Sequence, residues 1–416
     1  MTHAPAFAEN SSSRESVHAR PSRVVTGAGG GIGGMAAALS LLRRGYAVEV
    51  YEQAPELGEV GAGVQISPNG ARALDSLGVF ETLRAASCAP QRKEFRLWNT
   101  GRSWPMFDLG PLAIEKYGYP YLTVYRPDLL ATLVDAVRAI APDCIHLGAA
   151  VSGVTNRPDG VELHLADGRT ATGDILVGAD GVRSTVRKCL FGDDVTTFTG
   201  MIAWRAVIPM ERLPERLRGM VGWTWIGPGG HLVNYPLRGG KLMNMIGTIE
   251  RDDWKVESWN MEGDIEECAR DFTGWHEDVQ TLIRAAPKVL KWAFMERPPR
   301  QQWSLGHASL LGDAAHATLP FLAQGAVMSI EDGVILGRCL DKYSDTVEAL
   351  KKYEDARVER TSRMVRGAKE NTARFHESAL ATEEGAVKYM ESEWSRDPIN
   401  DRYDWLYRYD VSTTEI

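Results

Sequence analysis

A glycine-rich loop close to the start of the chain has the residue spacing that binds the phosphates of a dinucleotide. Gly29, Gly31 and Gly34 satisfy the pattern G-x-G-x-x-G. In this pattern the first glycine permits a tight turn, the second lets the backbone approach a pyrophosphate, and the third lets a helix pack closely on a strand. The N-terminus of the following helix then offers free N–H groups to the phosphates. The predicted phosphate contacts are Gly29, Gly31, Ile32, Gly33 and Gly34.

The elements around this loop are those of a β-α-β unit. Residues Val24 to Thr26 form an apolar strand, Met35 to Arg44 an apolar helix, and Ala47 to Tyr51 a second strand. Glu52 ends that strand 23 residues after Gly29. An acidic residue at this distance binds a ribose 2′-hydroxyl, which favours FAD or NAD over NADP. Without this context, the alternatives would be a flexible loop and a solvated strand end.

Two further sites place an aspartate beside glycine at the end of an apolar strand. Asp313 follows Gly312 and precedes small residues, so its carboxylate is suited to accept hydrogen bonds from ligand hydroxyls. Asp180 precedes Gly181, and Arg187 follows as a cationic donor suited to a phosphate. The alternatives are an N-cap at Asp313, a simple turn at Asp180 and a solvated helix face for the arginine.

Three separated motifs together resemble the single-component FAD-dependent aromatic hydroxylases, and most closely their salicylate-hydroxylase-like branch. The first is the glycine loop with its continuation GAGVQISPNG at 61–70. The second is DILVGADGVRS at 174–184, and the third is LLGDAAH at 310–316, followed by AQGA at 323–326. Two departures from the family pattern are Ala317, where proline is frequent, and Val327, where asparagine is frequent.

The resemblance implies a set of cofactor contacts. Asp313 would hold the ribityl chain of FAD, Asp180 would face both FAD and the nicotinamide nucleotide, and Arg126 would lie at the flavin. The contacts that the resemblance adds to the loop and to Glu52 are Gly63, Val64, Arg126, Asp180, Gly312, Asp313, Gly325 and Ala326.

The resemblance also implies the reaction. NADH or NADPH would reduce FAD, and O₂ would then add to form a hydroperoxyflavin that hydroxylates an aromatic ring. We expect a small hydroxylated aromatic carboxylate, salicylate-like, as the substrate. The alternatives are a hydroxylated pyridine carboxylate such as 6-hydroxynicotinate, or 3-hydroxybenzoate. From another class, a dinucleotide-binding protein without catalytic activity stays open.

Candidate substrate residues lie in a later strand-rich segment. His231 and Tyr235 are four apart, so on a strand both face one side, where the histidine could deprotonate a ring hydroxyl. His316 is a second candidate base, and a purely structural His–Tyr pair is the alternative to the first. The predicted substrate contacts are Arg205 and Arg238 for a carboxylate, Tyr235 and Pro320. Trp223 and Trp225 are interpreted as pocket walls or as ordinary core.

The pattern of elements predicts an α/β fold: a Rossmann-like FAD-binding domain with an inserted β-rich substrate domain and a C-terminal helical segment. Residues 1–20 are expected to be a disordered tail. The FAD-binding domain is assigned to 21–195 and 295–375, the substrate domain to 196–294 and the helical extension to 376–416. A charged segment from Tyr343 to Arg374 is expected to be an exposed helix with i,i+4 ion pairs rather than a nucleic-acid-binding helix.

Composition excludes several classes of protein. The net charge of −8 argues against general attraction to nucleic acid or to anionic lipid. No apolar run is long enough to cross a bilayer. The five cysteines are scattered without C-x-x-C spacing, which indicates neither disulfides nor a metal site and favours a cytoplasmic location. The interpretation is compatible with a homodimer and includes no nucleic-acid or membrane partner.

Overall fold

A computed structural model describes residues 24–58, 61–253 and 261–416. The expected disordered tail at 1–20 lies outside these residues. The strands run in chain order as β1 (Val24–Ala28), β2 (Ala47–Tyr51), β3 (Gly63–Ile66), β4 (Arg92–Leu97), β5 (Ser103–Asp108), β6 (Leu122–Tyr125), β7 (Ile145–His146), β8 (Val151–Arg157), β9 (Gly160–Leu165), β10 (Thr170–Gly173), β11 (Ile175–Gly178), β12 (Thr197–Pro209), β13 (Val221–Gly227), β14 (Gly230–Leu237), β15 (Leu242–Glu250), β16 (Glu262–Gly263), β17 (Val289–Glu296), β18 (Ser304–Leu305) and β19 (Ala308–Leu310).

The helices cover both the N-terminal unit and the C-terminal third of the chain. They are α1 (Ile32–Leu42), α2 (Pro68–Ser76), α3 (Phe80–Ala86), α4 (Pro111–Tyr117), α5 (Arg126–Ile140), α6 (Thr185–Phe191), α7 (Ile265–Asp271), α8 (Glu277–Ala285), α9 (Asp313–His316), α10 (Gly325–Lys342), α11 (Thr346–Phe375), α12 (Glu383–Glu393) and α13 (Arg396–Tyr407). Among the helices of the described ranges, none combines the length and apolarity that a bilayer span requires.

The first sheet has the strand order β18-β19-β11-β1-β2-β7, and β1 pairs in parallel with both β11 and β2. Helix α1 packs against α5 and α10 beside this sheet, because its residues from Met35 to Leu41 are buried and mostly apolar. The predicted β-α-β unit is confirmed. Helix α1 begins at Ile32, before the predicted start at Met35, since two glycines of the loop are already helical.

The second sheet has eight strands in the order β16-β17-β12-β15-β14-β13-β4-β5. Helices α7 and α8 cover one face, where Trp204, Trp225 and Phe272 belong to one buried apolar cluster. The hairpin of β4 and β5 joins this sheet through a parallel pairing of β4 with β13. The sequence assigns this hairpin to the FAD-binding part of the chain, and the domain boundaries stay a prediction. The predicted α/β fold class is confirmed.

Helix α11 differs from the exposed charged helix that its sequence predicts. Lys351 forms the expected ion pairs with Glu354 and Asp355 one turn away. However, Arg357 is completely buried and pairs with Glu331 and Asp332 of α10, and Arg360 is nearly buried and pairs with Glu331. The charge pattern indicates a helix correctly but does not show which of its cations point inward.

A buried ion network joins α10 to α11. Arg357 Nε lies 2.7 Å from Asp332 Oδ1, and its Nη2 lies 2.9 Å from Glu331 Oε2. Burial alone would raise the pKa of both carboxyls. For Asp332 the neighbouring His316 and Arg357 outweigh burial, and for Glu331 the neighbouring Arg360 and Arg357 do so. Both carboxyls therefore have lowered pKa values and remain ionised in the folded protein.

We expect Arg357→Met to lower the free energy of unfolding by about 3–5 kcal/mol, because it removes from two buried carboxylates the one cation that they share. The measurement is urea unfolding at pH 7. Arg366→Met on the same helix is the control, since Arg366 is 54% exposed and its pair with Glu359 contributes about 1 kcal/mol at most. Equal losses in the two variants would contradict the assignment.

Since the folded pKa values of Asp332 and Glu331 are lowered, their contribution to stability is present above the carboxyl pKa of the unfolded chain, about 4. It is lost as the pH falls through the folded values. Wild-type stability should therefore decline below about pH 4, and Arg357→Met should flatten that decline.

Candidate active site

A cavity of about 310 Å³ lies between the two sheets. Its floor is the glycine loop and the start of α1, and its far wall comes from β12 and β17 of the second sheet. Of the predicted cofactor residues, the cavity is lined by Gly31, Ile32, Gly33, Gly63, Val64, Arg126, Gly312, Asp313, Gly325 and Ala326. The cavity therefore brings together all three sequence motifs, which are far apart along the chain.

The glycine loop is shaped by two close approaches and one open side. Gly29 has φ of +105°, and a β-carbon there would lie 2.3 Å from the carbonyl oxygen of Ala179. A β-carbon on Gly34 would lie 2.0 Å from the carbonyl oxygen of Gly29. A β-carbon on Gly31, in contrast, would have no atom within 4 Å and would enter the cavity. This arrangement fits a pyrophosphate held against the N-terminus of α1.

Glu52 supports the loop from the end of β2. Its carboxylate accepts the Gly30 N–H at 2.6 Å and the Ala54 N–H at 2.8 Å. Both contacts hold the carboxylate beside the phosphate loop, although Glu52 is not among the residues that line the cavity. A contact with a ribose remains a prediction.

Asp313 presents an exposed carboxylate at the start of α9, on the cavity wall. Gly312 is the N-cap of this helix, so Asp313 does not serve as the cap. The motif is held from behind by Asp332, whose Oδ2 accepts the Gly312 N–H at 3.1 Å and lies 2.6 Å from His316 Nε2. His316 is buried behind the motif and lines neither cavity, so the structure does not bring this candidate base to the substrate side.

The Asp180 carboxylate is turned away from the cavity. It accepts the Ser184 hydroxyl and, at 3.0 Å, the Val186 N–H, so it supports the N-terminus of α6, where Ser184 is the N-cap. The cavity wall is instead formed by its neighbours, Ala179, Gly181 and Val182. Arg187 donates to the carbonyl oxygens of Val182 and Ala314 and thereby ties the second motif to the third.

A close contact joins the continuation of the first motif, at 61–70, to the second sheet. The Gly63 N–H donates to Asn244 Oδ1 at 2.7 Å. A β-carbon on Gly63 would lie 2.5 Å from Cε2 of Tyr235, so only glycine allows this approach. The neighbouring Gln65 accepts the Tyr121 hydroxyl at 2.9 Å.

A second, smaller cavity of about 60 Å³ adjoins the first. The two share walls, including Gln65, Tyr235 and Pro320. Its other lining residues include His231, Lys93, Thr224, Phe321, Phe375, Tyr403 and Tyr407. His231 and Tyr235 both line this smaller cavity, as their spacing on one strand predicts. We refer to this smaller cavity as the substrate pocket.

His231 is 1% exposed and lies against the rings of Phe321 and Phe375. Burial, and secondarily the nearby His376, lower the pKa of His231 well below its ordinary value. Its imidazole is therefore neutral at physiological pH and has a lone pair that can accept a proton. Burial raises the pKa of Tyr235, so its hydroxyl stays protonated and can donate a hydrogen bond.

Lys93 is a pocket residue that the sequence analysis missed. It lies on β4, in the hairpin assigned to the other domain, and its amine is 3.4 Å from the Tyr121 hydroxyl. Burial lowers the pKa of Lys93 to about 8. Within the described residues, no carboxylate forms an ion pair with this amine. The sequence does indicate that Lys93 points inward, because alternation along β4 places it on the same face as the buried Phe95 and Leu97.

The remaining candidates lie in three different places: the larger cavity, the protein surface and the far face of the second sheet. Arg205 lines the larger cavity and lies over the Trp292 ring. Arg238 is exposed and pairs with Asp128, so it is outside both cavities among the described residues. Trp223 and Trp225 lie on the far face of β13 with Arg96 over both rings, whereas Thr224 between them faces the pocket. The two tryptophans belong to the core behind the pocket.

The end of α11 and helix α13 line one side of the substrate pocket. Phe375 at the end of α11 and Tyr403 and Tyr407 of α13 form part of its wall. Tyr403 also bonds the Asn371 amide at 3.1 Å, which fixes α13 against α11. The sequence analysis predicts these helices but not their place at the pocket, because amphipathic patterns do not specify a docking partner.

Comparisons with known proteins agree with this geometry. Residues 24–368 match the family described as FAD binding domain. The 3-hydroxybenzoate 6-hydroxylase of Polaromonas naphthalenivorans is 35% identical over 92% of this chain and 95% of its own length. The 6-hydroxynicotinate 3-monooxygenase of Pseudomonas fluorescens is 38% identical over 83% of this chain and 90% of its own length.

Solved structures share the fold. Klebsiella pneumoniae HpxO, complexed with FAD and uric acid, superimposes with a TM-score of 0.80 at 27% identity, over 92% of this chain and 96% of its own. A salicylate hydroxylase in a substrate complex has a TM-score of 0.78 at 24% identity, over 94% of this chain and 96% of its own, and it supports the fold alone.

The alternative of a dinucleotide-binding protein without catalysis does not fit these relatives, which are named as hydroxylases and monooxygenases. The predicted cofactor is confirmed as FAD, with NAD(P)H and O₂ as the usual cosubstrates of these enzymes. The chain therefore belongs to the FAD-binding-domain family and is an FAD-dependent aromatic monooxygenase.

Proposed function

We propose that this enzyme hydroxylates a small aromatic carboxylate whose ring hydroxyl is not adjacent to the carboxylate, as in 3-hydroxybenzoate or 6-hydroxynicotinate. The observation that carries the proposal is Lys93, a pocket cation that forms no ion pair with a carboxylate of the described residues. A cation in such a position recognises an anionic group of the ligand. The homodimer and the cytoplasmic location stay predictions from the sequence.

The cation Lys93 and the candidate base His231 lie at opposite ends of the pocket. Lys93 and Tyr235 meet over Gly222, since a β-carbon there would lie 3.4 Å from Cγ of Lys93 and 3.9 Å from Cβ of Tyr235. His231 lies four residues from Tyr235 along β14, about 13 Å between Cα atoms. A ligand that uses both ends needs its carboxylate and hydroxyl apart on the ring. This favours the two alternatives above over the salicylate-like substrate, in which these groups are adjacent.

The protein residues would orient the substrate, accept its proton and exclude water. Bound FAD supplies the redox chemistry, which activates dioxygen and delivers one oxygen atom to the ring. Lys93 would orient the carboxylate, and the neutral His231 would take the proton of the ring hydroxyl, which makes the ring more nucleophilic. The aromatic walls from Phe321, Phe375 and Tyr407 would keep water away from the reacting atoms.

The direct test of the proposal is a comparison of hydroxylation with five compounds. We expect 3-hydroxybenzoate or 6-hydroxynicotinate to give hydroxylated product and to accelerate NAD(P)H oxidation. Less product is expected from salicylate, from benzoate, which lacks the hydroxyl, and from phenol, which lacks the carboxylate. Product formation from salicylate or phenol at rates above those of the first two would contradict the proposed arrangement.

We expect Gly31→Val to abolish FAD binding while the protein still folds. Its side chain would enter the cavity space that fits the pyrophosphate, and no protein atom lies within 4 Å of the new β-carbon. The measurement is the flavin content after reconstitution with FAD. Gly219→Val is a control, because a β-carbon there makes only ordinary contacts, at 3.8 Å or more, and does not line either cavity. A fully yellow Gly31→Val protein would refute the phosphate-loop assignment.

We expect His231→Ala to retain FAD but to lower the rate of hydroxylation by about 10²–10⁴-fold, because the ring hydroxyl loses its base. The ratio of product to NAD(P)H consumed is the diagnostic quantity. It should fall, with hydrogen peroxide released in place of hydroxylated product. Wild-type coupling in this variant would mean that the base lies elsewhere.

We expect the affinity for benzoate to fall above pH 8, because the Lys93 amine with its pKa of about 8 loses its charge there. Benzoate is the probe since its own charge does not change in this range. Its Kd is measured from the flavin spectrum between pH 6.5 and 9.5. Lys93→Met should raise the Kd at pH 7 by about 10–100-fold and remove the pH dependence. The exposed Lys388→Met is the control, and an unchanged profile in Lys93→Met would exclude this role.

A further inference from the structure

A chain of three hydrogen-bonded side chains runs from the substrate pocket to the surface. His231 Nδ1 lies 2.7 Å from His376 Nε2, and His376 Nδ1 lies 2.7 Å from Glu250 Oε1. His231 and His376 are buried, whereas the Glu250 side chain is 53% exposed. The three residues come from β14, from the end of α11 and from the end of β15, so only the folded chain assembles them.

The outer end of this chain determines which nitrogen carries the proton in each ring. An ionised carboxylate can only accept, so Glu250 requires a proton on His376 Nδ1. Neutral His376 then has a lone pair on Nε2, which requires a proton on His231 Nδ1. Neutral His231 is left with its lone pair on Nε2, which has no hydrogen bond among the described residues. Since His231 lines the pocket, this lone pair is available to a ligand.

The surroundings of His231 disfavour a retained positive charge. Its ring faces Phe321 and Phe375, with centroids 4.8 and 5.2 Å away, and its neighbour across the sheet is Thr248. The ionisable groups on the pocket side are Lys93, Tyr235, Tyr403 and Tyr407, and none of them is a carboxylate. A proton accepted by His231 therefore leaves the ring neutral only if the other ring proton departs toward the exposed end of the chain.

We propose that His231, His376 and Glu250 form a proton relay that carries the proton of the bound substrate's ring hydroxyl to solvent; this rests on the proposed function. The hydroxyl proton moves to His231 Nε2, the Nδ1 proton of His231 moves to His376 Nε2, and the Nδ1 proton of His376 moves to Glu250. Glu250 then releases it to water. The substrate is left as its phenolate, and neither ring keeps a net charge. The chain is reset when Glu250 takes one proton from water, the protons move back along the two rings, and His231 Nε2 returns a proton to the oxygen of the product.

The relay is tested by the rate at which substrate binding releases a proton. The holoenzyme without NAD(P)H is mixed with 3-hydroxybenzoate or 6-hydroxynicotinate, whichever the comparison above identifies, in weak buffer with phenol red. Absorbance of the ligand reports phenolate formation separately. We expect His376→Gln and Glu250→Gln to slow proton release about tenfold or more, with Kd values for benzoate within about threefold of wild type. Glu250→Asp should restore most of the rate.

A matched control is Glu384→Gln, which removes an exposed carboxylate whose only described pairing is with Lys388 on its own helix, and which should leave proton release unchanged. A role of His376 or Glu250 in packing alone would alter stability or affinity rather than the release rate. If both relay variants release the proton at the wild-type rate, the relay is wrong, even where hydroxylation itself is normal.

A second measurement separates the relay from the proposed function. In uniformly ¹⁵N-labelled protein without substrate, the ring nitrogens of His231 and His376 should be protonated at Nδ1 and unprotonated at Nε2 at pH 7.5, with assignments from the single variants. Glu250→Gln should change this pattern for both rings. If none of the five compounds binds, the proposed function fails but these tautomers still test the relay. The opposite tautomers would overturn it.

Discussion

The buried ion network between α10 and α11 is the constraint on which the rest of the cofactor site depends. Arg357 holds Asp332, and Asp332 in turn holds the backbone of Gly312 and the ring of His316. Asp313 follows directly and faces the cavity. Because Asp332 is completely buried, its charge is stable only with these partners around it. The same contacts that stabilise the helices therefore fix the position of Asp313.

The network also reaches the continuation of the first motif, at 61–70. Glu331 accepts the Asn69 amide at 2.8 Å, and Asn69 also bonds Gln324 just before α10. Asn69 lies in the first turn of α2 and belongs to the same segment, 61–70, as Gly63. In this way one set of buried charges positions the continuation of the first motif relative to the third motif. The glycine loop of the first motif is held separately, by the close contact between Gly29 and Gly34.

The substrate pocket is assembled from segments that lie far apart along the chain. The hairpin of β4 and β5 supplies Lys93, the central strands supply His231 and Tyr235, and the C-terminal helices supply the tyrosine wall. The pocket combines a cation without a carboxylate partner, a neutral base and apolar walls. Such a combination suits an aromatic anion that must lose a proton, and it suits few other small molecules. The assembly also gives the base a route to solvent through His376.

The sequence by itself determined the fold class and a dinucleotide site, and the resemblance of its three motifs to a known family indicated FAD and the reaction class. Glycine spacing, the acid at Glu52 and the strand endings depend on local backbone geometry, so they are visible within short segments of the chain. The His231 and Tyr235 pair was predictable for the same reason, because alternation along one strand fixes the face on which side chains lie.

Only the tertiary structure decided which charged residues enter the sites. Lys93 and Arg238 are both cations on or beside strands, yet one faces the pocket and the other pairs with Asp128 at the surface. Arg357 resembles the other cations of α11 in sequence but is buried, and the Asp180 carboxylate bonds groups at the start of α6. The His376 contact likewise joins residues 145 positions apart in the chain. Such choices depend on which distant elements pack together, and local periodicity carries no information about those partners.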